Sequence, residues 1–318
     1  VLAEWNANGT IRRLVHEGVV VNLFPASEVE GGPANLYLRC HSATVAWTPL
    51  FGPCSTARVW SDEHSIRARG SWQGIRFDVA FMLAARAPAW FWHVRLENGN
   101  ATAVAVDLVL VQDLGLAAYA AIRTNEYYTS HYLDHTPLDH PRHGWCVATR
   151  QNLPVAGRHP WIVHGSLARA VSFATDALDV YGIAGRIDAM PSGLAAAALP
   201  GRRRQHEHAM VAVQDAMLRL APGKVATRGF FAWLEPDHAR PSSSDDLVVV
   251  ERALALAEAA PPDAWRTDAP ETPVATTLFA PVAVLPCRDL ASDELRRFWP
   301  GEHRHVEQRD GAVWSFFT

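Results

Sequence analysis

The sequence has no run of about 18 uncharged apolar residues, so it offers no membrane-spanning helix. It has no large excess of charge of either sign. The 29 Lys and Arg stand against 33 Asp and Glu, and the sequence pI is near 6.4. That balance argues against nucleic acid, which calls for a concentrated basic surface. Lysine itself is almost missing, with Lys224 as its single occurrence. Cysteine is sparse. Cys40, Cys54, Cys146 and Cys287 form no CxxC pair, which excludes a disulfide scaffold and the usual zinc spacings. They are read as reduced cysteines of a cytoplasmic protein. No phosphate loop, Rossmann fingerprint, nucleophile elbow or zincin motif occurs. No charged-then-apolar leader opens the sequence. The sequons at Asn8 and Asn100 are therefore read as chance. The chain begins at Val1 and stops behind Phe316-Phe317, and the expectation is that the parent protein continues.

What is present is apolar and rich in tryptophan. Residues are 49% hydrophobic and 19% charged, enough apolar surface to exclude disorder over most of the chain. Twelve Trp outnumber six Tyr, which suits either a β core or faces that stack on sugars. Ile75, Phe77, Val79, Phe81 and Leu83 alternate with Arg76, Asp78, Ala80 and Met82, the period of a half-buried strand. Trp90, Trp92, Val94 and Leu96 follow on one face. Asn98-Gly99 is a hairpin signal, and with 104–112 as return strand the stretch 75–112 reads as an antiparallel meander. Further strands are predicted at 162–167, 170–175, 208–219 and 228–234. Helical periodicity is scarce before residue 240. The pattern predicts a mainly β chain built as a large β-sandwich over 1–235. A helix at 245–260, capped at Ser244 or Asp245, and a Pro-rich stretch give a linker at 236–273. The remaining 274–318 is predicted to hold a strand (278–285), a helix (291–299) and a hairpin about Asp310-Gly311.

Polar residues concentrate in the stretch 125–143, which carries four His, three acids and three Tyr and reads as a long loop. Three chemistries suit it. The histidines could ligate a metal, although their spacing matches no zinc pattern. A His with Glu126 or Asp134 could move protons. The tyrosines and polar groups could read sugar hydroxyls or pack on a neighbouring domain. The favoured reading takes Asn125, Glu126, Tyr127, Tyr128, His131, Asp134 and His135 as substrate-binding. Arg158 and His159 join them from Arg158-His159-Pro160-Trp161, where planar Arg and Trp suit sugar or phosphate. Arg202-Arg203-Arg204 reads as a solvated turn. His206 and His208 share one strand face without a visible third ligand. Glu28 to Asn35 is a Gly-rich turn. No metal site, cofactor or catalytic residue is assigned.

Taken together, the strings EVEGGPANLYLR (28–39), WFWHVRLEN (90–98), QDLGLAAYAAIRTNEYY (112–128), DHTPLDHP (134–141), RQNLP (150–154), GRHPW (157–161), SFATDAL (172–178) and LPGRRRQHEH (199–208) resemble one family. It is the N-terminal region of the oligoglucan phosphorylases of glycoside hydrolase family 94, related to cellobiose phosphorylases and cyclic β-1,2-glucan synthases. The resemblance implies a galactose-mutarotase-like super-sandwich joined by a helical linker to an (α/α)6 barrel. The barrel would carry the general-acid Asp and take inorganic phosphate as co-substrate of an inverting phosphorolysis. It also implies a β-glucan oligosaccharide as ligand, the barrel as intramolecular partner and a homodimeric parent as one option. On this reading the chain is an accessory sandwich, inactive alone. The alternatives are a standalone carbohydrate-binding module, expected to expose a row of Trp, and a mutarotase-like enzyme. The last expects a His and a carboxylate to converge in a cleft.

Overall fold

The structure, a computed structural model, describes residues 1–27, 31–61, 65–183, 191–205, 208–263, 265, 288–309 and 311–318. The strand proposed at 278–285, most of the Pro-rich stretch, Cys287, His206-Glu207 and the first residues of the Gly-rich turn lie outside them.

The chain opens with a small antiparallel sheet of β1 (Leu2–Trp5), β2 (Ile11–His16) and β3 (Val19–Val20). The main sheet begins with β4 (Asn35–His41), β5 (Val45–Pro49), β6 (Arg58–Ser61) and β7 (Ser65–Trp72). It continues with β8 (Ile75–Leu83), β9 (Ala89–Asn98) and β10 (Val104–Asp113). Two one-turn helices, α1 (Tyr119–Thr124) and α2 (Glu126–His131), lead to β11 (Leu133–His140), β12 (Gly144–Gln151), β13 (Trp161–Ser166) and β14 (Ala170–Asp176). Next come α3 (Ala177–Tyr181), α4 (Ser192–Ala195), β15 (Ala209–Asp215), β16 (Leu218–Leu220) and β17 (Val225–Glu235). These strands form one 14-stranded sheet ordered β5-β4-β10-β15-β14-β12-β13-β17-β9-β8-β7-β6, with β11 on β12 and β16 on β10.

The long sheet curls on itself, and this is what makes it a sandwich. Leu36, Leu38, Leu108, Val211 and Val213 from one half share a single core with Phe77, Phe81, Trp90, Trp92 and Phe230 from the other. Trp5, Phe51, Phe81 and Trp92 meet edge to face or tilted, with ring centroids 4.6–6.2 Å apart, and tie the small sheet to this core. The outer faces carry separate apolar clusters. One lies beneath α5 (Leu247–Leu254), where Val249, Val250 and Ala253 meet Phe91, Cys146, Trp161 and Phe231. The other lies beneath α3 and α4, where Val180 and Leu194 meet Val109, Val111 and Met210.

Several predicted elements stand with shifted ends. The structure changes three others. β9 and β10 do not pair. β9 lies between β8 and β17, and β10 lies between β4 and β15, so 75–112 is not a meander. The Asn98-Gly99 signal is spent differently. Buried Asn98 donates from Nδ2 to the carbonyls of Thr102 and Leu220 (2.9 Å each) and so anchors a crossing between the two halves. The stretch 208–219 breaks into β15 and β16 at Ala216, whose N–H turns to the Arg169 carbonyl. The stretch 125–143 is not a loop. It is α2 followed by β11 and the turn into β12, and Leu133, His135, Leu138 and His140 are all buried along β11. Pro137 is tolerated because β11 pairs on one side only. Gly144 closes the hairpin at φ +66, where a Cβ would stand 2.0 Å from the Ala170 carbonyl oxygen.

The predicted helix at 245–260 is α5 with a 3-10 turn at each side, and its cap is Ser243 in a capping box with Asp246. The chain divides into two compact units, Val1–Phe279 and Ala280–Thr318. The latter unit holds α6 (Ser292–Phe298) and the hairpin β18 (Arg304–Arg309) to β19 (Ala312–Phe317). No helix among the described residues is long and apolar enough to cross a membrane.

Candidate functional site

Most of the residues singled out from the sequence gather at one end of the sandwich, around Gln151 at the end of β12. Gln151 is fully buried. Its Nε2 donates to the carbonyls of Gly115 (2.9 Å) and Thr129 (3.2 Å), and its Oε1 accepts the Leu153 N–H. Its own carbonyl accepts from His159 Nδ1 at 3.2 Å. One residue thus fixes the β10–α1 bend and the underside of α2 through its side-chain amide, and the loop carrying His159 through its carbonyl. Ser130 Oγ accepts the Ala209 N–H at 2.7 Å and ties α2 to β15.

On this base α2 presents its outer side. Asn125 is exposed and caps the helix, its Oδ1 accepting the Tyr128 N–H at 3.0 Å. Tyr127, Tyr128 and Tyr132 are exposed, as is His131. The Tyr132 hydroxyl donates to that of Tyr128 (3.1 Å), which raises the Tyr132 pKa. Tyr127 stands edge-on to His208 and Phe24, with centroids 5.2 and 6.5 Å apart. Asp134, two residues after Tyr132, pairs with Arg203. This surface offers phenol faces, hydroxyls, an amide and an imidazole, which suits stacking and hydrogen bonding.

The other nominated residues do different work. His135 points into the sandwich with none of its surface exposed, and its Nδ1 meets Thr149 Oγ1 at 2.9 Å. Burial, assisted by the Arg203 charge, drives its pKa down to about 3. His164 on β13 has its pKa pushed to about 3 by the same burial. Neither of its ring nitrogens has a hydrogen-bond partner among the described residues. Arg158 reaches away to Glu17 at 2.6 Å. Glu126 is half-buried at the start of α2.

Sequence reasoning passed over Asp113. It is fully buried and accepts the N–H groups of Leu23 (2.8 Å) and Phe24 (2.7 Å). Burial lifts its pKa to about 6 against these bonds. The signal available was a carboxylate directly after the apolar run of β10.

One further convergence involves His140, which is buried at the β11–β12 turn. Its Nδ1 accepts the N–H groups of Arg142 and His143, so Nε2 carries the proton and donates to Glu251 at 2.9 Å. Glu251 also takes Arg142 at 3.1 Å, and a groove of about 340 Å³ opens beside them. No group of three or more His, Cys, Asp or Glu among the described residues is placed to hold a metal ion. No tryptophan before Trp299 is exposed.

Fold and surface together define a large curled β-sandwich with a tyrosine-bearing end. The chain belongs to the SOGP N-terminal domain family, whose profile matches residues 4–232. It is 30% identical over 213 residues to a 1,2-beta-oligoglucan phosphorylase of Listeria innocua serovar 6a, a match covering 67% of this chain. The chain spans 19% of the length of that relative. Among solved structures it is similar to a polysaccharide lyase (TM-score 0.47, 10% identity, 74% of this chain and 32% of that one). It is also similar to an Escherichia coli K12 protein assigned as an aldose 1-epimerase (TM-score 0.40, 10% identity, 72% and 93%). Similarities this low add no chemistry, and the fold class rests on the sheet itself.

Proposed function

We propose that this chain is the accessory N-terminal sandwich of a bacterial family 94 phosphorylase acting on 1,2-β-oligoglucans. In this reading it supports an (α/α)6 barrel and borders the substrate entrance with α2. The observation that carries it is the 213-residue match to an oligoglucan phosphorylase, which spans the segments that build the Gln151-centred end. The reaction transfers a glucosyl group from a β-glucan to inorganic phosphate with inversion. Phosphate oxygen attacks the anomeric carbon, and a general acid protonates the departing glycosidic oxygen. The sandwich supplies neither group, and no cofactor is involved. Its contribution is to orient the glucan through Tyr127, Tyr128 and His131.

The test is release of glucose 1-phosphate from 1,2-β-glucooligosaccharides and phosphate. The chain alone is expected to give none, and turnover by it overturns the accessory reading. In the enzyme carrying this region, Tyr127→Ala with Tyr128→Ala is expected to raise KM for the glucan with kcat little changed. An unchanged KM removes the entrance role.

The mutarotase-like alternative has one point in its favour, the His140–Glu251 pair beside a groove. Both groups are committed, however. The ring is held by two backbone amides, and the carboxylate is shared with Arg142. The exposed-tryptophan row of a binding module is missing from the described sandwich.

A further inference from the structure

Trp161, the aromatic end of the Arg158-His159-Pro160-Trp161 stretch, is fully buried, and the chain itself covers it. The cover is the segment 236–243, which joins β17 to the 3-10 turn Ser244–Asp246 ahead of α5. Trp161 Nε1 donates to Ser242 Oγ at 2.9 Å, and the His238 ring stacks on the indole with centroids 5.0 Å apart and planes 14° apart. The backbone of the segment is fastened as well. The His238 N–H donates to the His159 carbonyl (2.8 Å), and the His238 carbonyl accepts from Arg150 Nε (2.8 Å). Asp237 Oδ1 accepts the His159 N–H at 2.9 Å.

Both ring nitrogens of His238 face acceptors. Nδ1 lies 2.7 Å from the Arg240 carbonyl, and Nε2 lies 2.9 Å from Asp246 Oδ1. A carbonyl oxygen can only accept, and so can an ionised carboxylate. A neutral imidazole has a single N–H to give. The two bonds together require an N–H on each nitrogen, which makes the ring an imidazolium. The other way to satisfy them, a proton on Asp246, is opposed by the surroundings of that carboxylate. Its Oδ2 accepts the Ser243 N–H at 2.8 Å, and it stands in the first turn of the helical segment that runs into α5, where negative charge is favoured. The indole face beneath the ring attracts a cation.

The titratable and charged groups around the ring come from four elements. They are Asp245 and Asp246 of the 3-10 turn, Asp237 and Arg240 of the segment itself, Arg150 of β12 and His159 of the β12–β13 loop. Arg150 is spent on the His238 carbonyl and on Asn152 Oδ1, and His159 Nδ1 donates to the Gln151 carbonyl.

We propose that His238 is a proton-dependent pin: as an imidazolium it fastens the 236–246 strap, and with it the start of α5, onto Trp161, and loss of the proton loosens the strap. Deprotonation takes away one of the two N–H groups, so either the Arg240 carbonyl or Asp246 loses its donor, and the neutral ring is held less tightly on the indole. The strap therefore loosens as pH rises. The device belongs to this chain and does not depend on the accessory role.

The test uses the whole chain labelled with 15N-histidine. At about pH 7 both His238 ring nitrogens are expected to show the shifts of protonated nitrogens, identified by their disappearance in His238→Gln. Amide exchange in α5, corrected for its intrinsic pH dependence and referred to β8, is expected to accelerate about tenfold from about pH 7 to about pH 9, the loss of one charge-assisted bond. His238→Gln, which keeps a donor but no charge, is expected to exchange at the faster rate already at the lower pH and to show no step. Ser242→Ala, which frees Trp161 Nε1 without touching the ring, is expected to speed exchange and keep the step. An unprotonated ring nitrogen at the lower pH overturns the proposal. So does a step that persists in His238→Gln, or one that β8 shares in full.

Discussion

The two outer faces of the sheet are buried by opposite means. Beneath α5 the contact is mainly apolar, from Phe91 and Trp161 to Val250 and Ala253, with the His140–Glu251 bond as its polar member. Beneath α4 the sheet presents a buried polar network. Arg39 grips Asp107 with two bonds of 2.7 and 2.6 Å, and Asp107 also takes His41 and Gln214 Nε2. The difference lies in the cover. An α-helix such as α5 satisfies most of its own backbone, so the sheet under it can be hydrocarbon. The segment after α4 is irregular, and its carbonyls face inward. Arg39 donates to Leu194 (3.2 Å) and Ala196 (2.7 Å), and Gln214 donates to Ala197 (3.3 Å). An irregular cover needs donors beneath it, and a buried arginine then needs its carboxylate.

The largest effect should come from breaking that network on one side. Asp107→Ala leaves a fully buried guanidinium without its counterion and is expected to cost about 3–5 kcal/mol. Urea unfolding followed by fluorescence measures it. The pair Arg39→Met with Asp107→Leu should recover part of this but remain destabilised, because the carbonyls of 194 and 196 lose their donor. Full recovery would mean the cover does not depend on Arg39. Beneath α5 the comparable change is purely volumetric. Val250→Ala removes two methyl groups from a closed contact, and about 2 kcal/mol is expected in the same urea experiment.

A third test separates buried groups that have partners from those that lack them. His135 and His164 hold pKa values near 3, below the unfolded 6.5, so between these limits only the unfolded chain binds their protons. Their contribution is complete above pH 6.5 and is lost as pH falls toward 3. Asp215 is raised to about 7, mainly by burial, and Asp113 to about 6. Their contribution is complete below 3.8 and is lost as pH rises through these values. From pH 5 to 6 the two pairs oppose each other. Asp215→Asn keeps the bond from the Leu108 N–H and removes one opposing proton. Stability should then rise with pH by about 1.4 kcal/mol per unit more steeply across this interval. A parallel shift of the whole curve, with no change in slope, would mean that Asp215 is already ionised in the fold.

These contrasts also mark what the sequence made legible. Alternation along 75–83 and 90–97 announced β8 and β9, because period 2 is local. It misjudged the partner of β9, since Asn98-Gly99 signals a turn while burial across the sandwich decides pairing. β11 looked like a loop because His, Asp and Pro are poor strand formers. Its inward histidines are held by distant contacts. The density of Tyr and His between 125 and 135 did point to the exposed end of the sandwich. The amide that organises that end did not stand out, because Gln151 acts on residues 22 and 36 positions earlier. Arg39, Asp107 and Gln214 are as widely separated, and no local pattern joins them.

The smallest expected effect gives the sharpest form of the comparison, because it uses the same side chain. Arg252 lies on the rim of the apolar cover, with its guanidinium 4.6 Å from the Trp233 ring centroid and 3.5 Å from Glu235. It is 57% exposed, whereas Arg39 is wholly buried. Water therefore already solvates the rim guanidinium, and removing it strands no buried acceptor. Arg252→Ala should cost about 0.5–1 kcal/mol, chiefly the ring contact, and Arg252→Lys less. High salt should leave most of the Arg252→Ala deficit in place, since stacking on Trp233 is less screened than the ion pair. If the deficit vanished in salt, the Glu235 pair would be the source. If it approached the cost of Asp107→Ala, the rim would have to be counted with the buried network, and the distinction between a self-satisfied helical cover and a donor-dependent irregular one would fail.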